Sequence, residues 1–137
     1  MEIFYPVFLL IFHTLFIAAF MGFKRYAAVK GGAVDPAYYQ LYRGEEPDSL
    51  RALSRHLVNL LEAPLLFYVG SIIAFVTGQS GSLILSLAWA YVGLRLVHSF
   101  IHLGPNVVLW RFKVFVLSML VLTVFLAVIL QRIATAA

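Results

Sequence analysis

Apolar residues run along the chain in four long blocks, separated by short polar stretches. The first block, about residues 3–23, is roughly 21 residues long, enough for a helix to cross a hydrocarbon core of about 30 Å. It contains His13 and Thr14. His13 reads as a residue hydrogen-bonded to a neighbouring helix. Ala18 and Gly22 form a small-xxx-small pair that permits close helix contact. The second block, about 50–76, is apolar from Leu57 onward and contains Pro64, where a bend is expected. Gly70, Ala74 and Gly78 recur every four residues there and predict a packing face. Residues Thr77 to Ser82 read as a turn. The third block covers about 83–103 and ends at the turn Gly104-Pro105-Asn106. The fourth covers about 107–130, with Arg111 and Lys113 in its first turns.

Residues 24–49 differ from the blocks. Lys24, Arg25, Lys30 and Arg43 alternate there with Asp35, Glu45, Glu46 and Asp48. Asp35-Pro36 predicts an N-cap and first helical residue. Tyr38, Tyr39, Leu41 and Tyr42 then lie on a short helix at the membrane interface, where tyrosine is favoured. Asp48 or Ser49 is expected to cap the next helix. The stretch reads as a solvated connection with an interfacial anchor.

Composition supports a membrane protein without recourse to any motif. The 137 residues are 63% hydrophobic and 12% charged, with a mean hydropathy of +0.96. Soluble domains carry about 25% charged residues. The expected fold is an all-α membrane protein, a four-transmembrane-helix bundle forming one domain over residues 1–137. Glu2 stands where a signal peptide has basic residues, so the first block reads as a retained span. The absence of cysteine excludes disulfides, thiol catalysis and cysteine-based metal centres. Lys and Arg concentrate in the first connection and around the third turn. The positive-inside rule then puts both termini outside and those connections in the cytoplasm. A bacterial inner membrane with periplasmic termini is the expected setting.

Several polar residues interrupt the blocks. Arg55, Asn59 and Glu62 are spaced i, i+4, i+7 and share one helix face. An ionisable residue inside a membrane costs about 2.5–3.5 kcal/mol on insertion scales, which makes this face a candidate site. Arg95, His98 and His102 share a face of the third block. Glu62 and Arg95 fall at similar depths, roughly 12–15 Å from the cytoplasmic ends of their helices. A Glu62–Arg95 pair is therefore expected to offset the burial of both. With Arg111, these groups form a one-leaflet cluster of excess positive charge, suited to an anionic, partly polar ligand. The N-terminus of the fourth helix adds its dipole near Arg111. A metal held by His98, His102 and Glu62 competes with this reading, but neither HExxH nor a second carboxylate accompanies them. No nucleotide motif and no nucleic-acid signature is present.

The ordered set Arg55-x-x-x-Asn59-x-x-Glu62, Arg95-x-x-His98 and Arg111, on four spans with a long basic first loop, resembles the MAPEG family, the membrane-associated proteins in eicosanoid and glutathione metabolism. The resemblance is to a bacterial-type member and covers most of the chain. It implies a homotrimer of four-helix subunits that binds glutathione between neighbours, on the cytoplasmic side. Arg55, Asn59, Glu62, Arg95 and His98 would hold the tripeptide, with His102 beside them, and Arg111 would stabilise its thiolate. The implied activity is a glutathione S-transferase or glutathione-dependent peroxidase acting on hydrophobic small molecules that partition into the bilayer. The chain also departs from the pattern. His102 stands where the enzymes usually have tyrosine. Phe112 and Phe115 follow Arg111 where eicosanoid-forming members offer a hydroxyl. Pro64 lies closer to Glu62 than the family proline. A non-catalytic lipid-binding, scaffold or accessory subunit is the alternative that these departures support.

Overall fold

A computed structural model describes residues 1–79 and 81–136. The expected turn at 77–82 includes Ser80, which lies outside the described residues. Four long helices account for most of the chain: α1 (Phe4–Lys30), α3 (Asp48–Val76), α4 (Ser82–Leu103) and α5 (Val108–Ala136). A one-turn helix, α2 (Tyr38–Leu41), sits in the first connection. No strand occurs among the described residues. All four long helices are long and apolar enough to cross a membrane. The protein is an integral membrane protein with a four-helix bundle.

Helix ends follow local chemistry more than charge. α1 runs through Lys24 and Arg25 and stops only at Gly31-Gly32. Gly32 has φ +72°, and the Ala33 N–H donates to the Ala28 carbonyl at 2.9 Å. α3 ends the same way: Gly78 has φ +71° and the Gln79 N–H donates to the Ala74 carbonyl at 2.7 Å. Both are left-handed glycine stops that satisfy carbonyls of the last turn. Gly78 therefore ends its helix instead of packing, whereas Gly70 meets α5 directly. A Cβ on Gly70 would come within 2.5 Å of Leu126 and 3.0 Å of Phe125. Pro64 is buried inside α3, which continues through it. The start of α3 differs from expectation. Pro47 occupies the N-cap without a side-chain cap, and Asp48 is the first helical residue. Its carboxylate lies 3.6 Å from Arg51 and favours the helix dipole.

α1 packs on α3, and α5 packs along α4 most extensively. α3 and α4 also touch each other and form the middle of the bundle. Phe67, at the centre, is fully buried between Tyr91 (4.9 Å between ring centroids) and Phe125 (5.5 Å). The outer faces expose large apolar residues such as Phe12, Phe16, Leu66 and Leu120. In water such a surface would aggregate; in lipid it is the expected exterior.

The first connection is more ordered than a solvated loop. Asp35 accepts the Ala37 N–H at 2.8 Å and starts the turn into α2. The Glu46 side chain is only 3% exposed; its Oε1 lies 4.0 Å from Arg25 Nε and its Oε2 accepts Tyr38 OH at 3.3 Å. Arg25 also donates to Ser54 Oγ at 2.8 Å and stacks over Tyr39 at 5.0 Å and Tyr42 at 5.7 Å. Arg51 donates to the Glu46 carbonyl at 3.2 Å. Burial, then the Glu46 carboxylate, raises both the Tyr38 and Tyr39 phenols above the ordinary phenol value. The loop is thus buckled to α1 and α3 through one acid.

Candidate functional site

The i, i+4, i+7 face of α3 points outward. Arg55 and Glu62 are exposed and Asn59 is half-buried. The buried stripe of α3 is the opposite one, running Leu53, His56, Leu60, Pro64 and Phe67. Asn59 sits at the rim between the two faces. There it lines a groove of about 190 Å³ together with His98, Val108, Arg111, Phe112 and Phe115. The groove therefore brings together Asn59 from α3, His98 from α4 and Arg111 from α5. Arg55 and Glu62 flank it on the exterior of α3.

Arg95 is fully buried within the bundle. Its Nη2 donates to the Asn59 carbonyl at 2.6 Å, and its guanidinium lies 5.8 Å from the Phe115 ring. Its Nε and Nη1 have no hydrogen-bond partner. The expected Glu62–Arg95 pair does not form within the chain. Glu62 is exposed on the outer face of α3, whereas Arg95 points from α4 into the bundle. The only acids in ion pairs among the described residues are Glu46 and Asp48.

Arg111 is positioned by the turn that precedes α5. Asn106 adopts φ +48° and its Oδ1 accepts Arg111 Nη1 at 2.7 Å. The same Nη1 lies 3.4 Å from His102 Nε2. The guanidinium is thereby held at the mouth of the groove. Among the described residues, no carboxylate lines this groove. Its electrostatic character is cationic, with an apolar wall of Phe112 and Phe115. Such a site favours a small anion carrying an apolar partner. A larger cavity of about 470 Å³ lies by the first connection, lined by Ala33, Glu45, Glu46, Pro47, Asp48 and Arg51. It belongs to the Glu46 buckle and holds none of the groove residues.

Sequence periodicity missed one member of the neighbourhood. His56 is fully buried and faces His102 at 4.9 Å and His98 at 5.9 Å between ring centroids. His13 bonds Ser99 Oγ at 2.7 Å, the interhelical contact expected of it. The available signal was register: His56 falls in line with the apolar stripe of α3, so it had to point inward. Among the described residues no group of three or more His, Asp or Glu has the geometry to hold a metal ion.

The sequence model of the MAPEG family matches residues 3–131. The chain belongs to the MAPEG family. Comparison with curated proteins and with solved structures finds no match. Membership places this MAPEG protein among glutathione-related membrane proteins and agrees with its four-helix membrane bundle.

Proposed function

We propose that this MAPEG protein is a membrane-bound glutathione S-transferase or glutathione-dependent peroxidase for lipophilic electrophiles. The observation that carries the reading is the cationic groove in which Asn59, His98 and Arg111 meet. Glutathione enters from the cytoplasm and its carboxylates engage the basic rim, with Arg55 and Glu62 on the outward face of α3 completing the peptide contacts. Those two residues lie outside the groove of their own subunit, which supports a homotrimer whose neighbour closes the site. Arg111 holds the sulfur. A thiol ordinarily has a pKa of about 8.5, and an adjacent guanidinium favours the nucleophilic thiolate. The electrophile reaches the sulfur along the Phe112–Phe115 wall from the bilayer. Arg95, buried behind Asn59, acts on the site through the α3 backbone and its positive charge. The site opens toward the cytoplasm of a bacterial inner membrane, with both termini periplasmic, in a single domain.

The test is conjugation of a model electrophile by the purified protein in detergent, comparing wild type with Arg111→Ala. Equal rates remove Arg111 from the mechanism. One observation favours a second reading: the α5 wall of the groove offers two phenylalanines and no hydroxyl to the sulfur. On that reading the protein binds lipid, or serves as a scaffold or accessory subunit, without turnover. Thermal stability separates the two. Glutathione at 100 times its dissociation constant adds about 2.7 kcal/mol to a protein that binds it. No shift at millimolar glutathione, with lipid co-purifying, favours the second.

A further inference from the structure

α1 packs on α4 more loosely than on α3, and a groove of about 400 Å³ lies between α1 and α4. Its walls are Phe16 on α1 and Leu96, Phe100 and Leu103 on α4, and His13 and Ser99 close its deep end. Those two polar groups are turned on each other, with His13 Nε2 2.7 Å from Ser99 Oγ. Their hydrogen-bonding capacity is spent within the protein, so the groove suits an apolar occupant. A second groove of about 230 Å³ adjoins it through the shared side chain of Leu103 and is lined also by Phe20, Lys24 and Ser49. Phe16 and Phe20 stack at 6.3 Å with their planes 8° apart, one in each groove. The two grooves together make one furrow along α1, from Lys24 to His13.

Length and charge define what fits this furrow. Lys24 and His13 are eleven residues apart on α1, roughly 16 Å at about 1.5 Å per residue. One leaflet is half of a hydrocarbon core of about 30 Å. A single extended acyl chain of that leaflet therefore spans the furrow from end to end. α1 is predominantly apolar from Phe4 to Phe23 and turns basic at Lys24, which puts Lys24 at the level of the lipid headgroups. The neighbouring Arg25 is engaged by Glu46, Ser54 and the tyrosines. Lys24 forms no ion pair among the described residues and leans over the Phe20 ring at 5.4 Å. Among the described residues, no carboxylate lines either groove. One unneutralised ammonium above an apolar furrow complements one anionic head above one acyl chain.

We propose that this furrow binds a monoanionic phospholipid of the surrounding bilayer, with its phosphate on Lys24 and one acyl chain lying between Phe16 and Phe100 down to His13. The single negative charge of a phosphodiester matches the single positive charge of Lys24. Phe16 and Phe100 are exposed at the edges of the furrow, so it is open along its side and the second chain stays in the bulk lipid. The lipid braces α1 against α4 where their own side chains leave a gap. None of Asn59, His98 and Arg111 contributes to both sites: all three line the α3–α4–α5 groove, and none lines the furrow. The lipid site is therefore independent of the glutathione reading and stands whether or not glutathione is turned over.

The experiment uses the full chain in mixed micelles and counts retained lipid by native mass spectrometry. The probes are phosphatidylglycerol and phosphatidylcholine with identical chains. Wild type is expected to retain phosphatidylglycerol about 5-fold better, equivalent to about 1 kcal/mol for one basic residue near an anionic surface. Lys24→Gln is expected to abolish that preference. Lys113→Gln, which removes the lysine over Trp110 on α5 and outside the furrow, is expected to leave it intact. A phosphatidylglycerol carrying a diazirine in one chain is expected to label Phe16, Phe20, Phe100 or Leu103 on photolysis. Equal retention of the two lipids by wild type overturns the proposal, as does an equal loss of preference in Lys113→Gln and Lys24→Gln. Labels confined to other helices overturn it too. Displacement of phosphatidylglycerol by one equivalent of oleate also overturns it and gives the furrow to a free fatty acid.

Discussion

Replacing Arg95 with methionine tests whether its buried charge is matched within the folded protein. The residue is fully buried, with one hydrogen bond to the Asn59 carbonyl and one aromatic neighbour, Phe115. Arg95→Met removes a charged hydrogen bond of about 1.5–3 kcal/mol and a cation–π contact of about 0.5–2 kcal/mol. The Asn59 carbonyl is not orphaned, because its helical donor is the Ala63 N–H; the carbonyl that Pro64 deprives is that of Leu60, one residue on. Against these losses, the change relieves two unpaired buried nitrogens, at about 1–3 kcal/mol each. The sides nearly cancel, so stability is expected to stay within about 1 kcal/mol of wild type. Removing one partner of a matched buried pair instead costs about 3–5 kcal/mol. Thermal unfolding in detergent without glutathione separates the cases. A change of 1 kcal/mol moves Tm by about 4 °C in a chain of this size. A drop of about 12 °C or more would refute the reasoning and show that an acid meets Arg95 in the assembled protein.

Other outcomes follow from the same contacts. Arg111→Ala is expected to lower conjugation about 100-fold, the loss typical of one charge-stabilising donor, measured as kcat/KM. Phe67→Ala opens a cavity between Tyr91 and Phe125 and is expected to cost about 3–5 kcal/mol in unfolding free energy. Gly78→Ala forces a Cβ into a φ of +71° and is expected to cost about 1–2 kcal/mol, whereas nothing nearby obstructs it sterically. Glu46→Gln loosens the first connection, read as faster amide exchange over residues 31–47. The same segment depends on pH at the alkaline end. Tyr38 and Tyr39 have raised phenol pKa values in the fold, so their contribution is complete below the ordinary value of 10.0 and is lost as pH rises through the raised values. Exchange protection that is flat across pH 10 would contradict the Glu46–tyrosine arrangement.

The four spans were legible because each apolar block is long enough to cross a bilayer and glycines stop the helices. Charge was the poorer guide to their ends. Lys24, Arg25 and Lys30 suggested a loop, yet nothing about a lysine breaks a helix, and α1 continues to Gly31. The site was legible as a set of faces but not as a set of contacts. Spacing shows that Arg55, Asn59 and Glu62 share a side of α3. It does not say which neighbour that side meets, and it meets the exterior. Glu62 and Arg95 matched in depth, but depth fixes one coordinate of a helix and leaves its rotation free. His56 escaped notice because it stands beside Arg55 in a polar stretch. Its register with Leu53, Leu60 and Phe67 places it in the core. The Glu46 buckle depends on an acid in a polar loop folding inward, which no periodicity marks.

The burial of α4 bears on how the chain enters the membrane. Of the four spans, α4 is the least apolar, and it carries Arg95, His98, Ser99 and His102 inward. α5 is the most apolar and packs along α4 more extensively than any other pair. The turn between them, residues 104–107, is too short to let them part. An insertion apparatus that releases helices singly would strand α4 with its arginine against lipid. Released together, α5 anchors in the bilayer while shielding one side of α4. The order of biogenesis is thus written into the α4–α5 hairpin: it enters as a unit, and α4 without α5 is expected to fail in a membrane-insertion reporter that α5 alone satisfies.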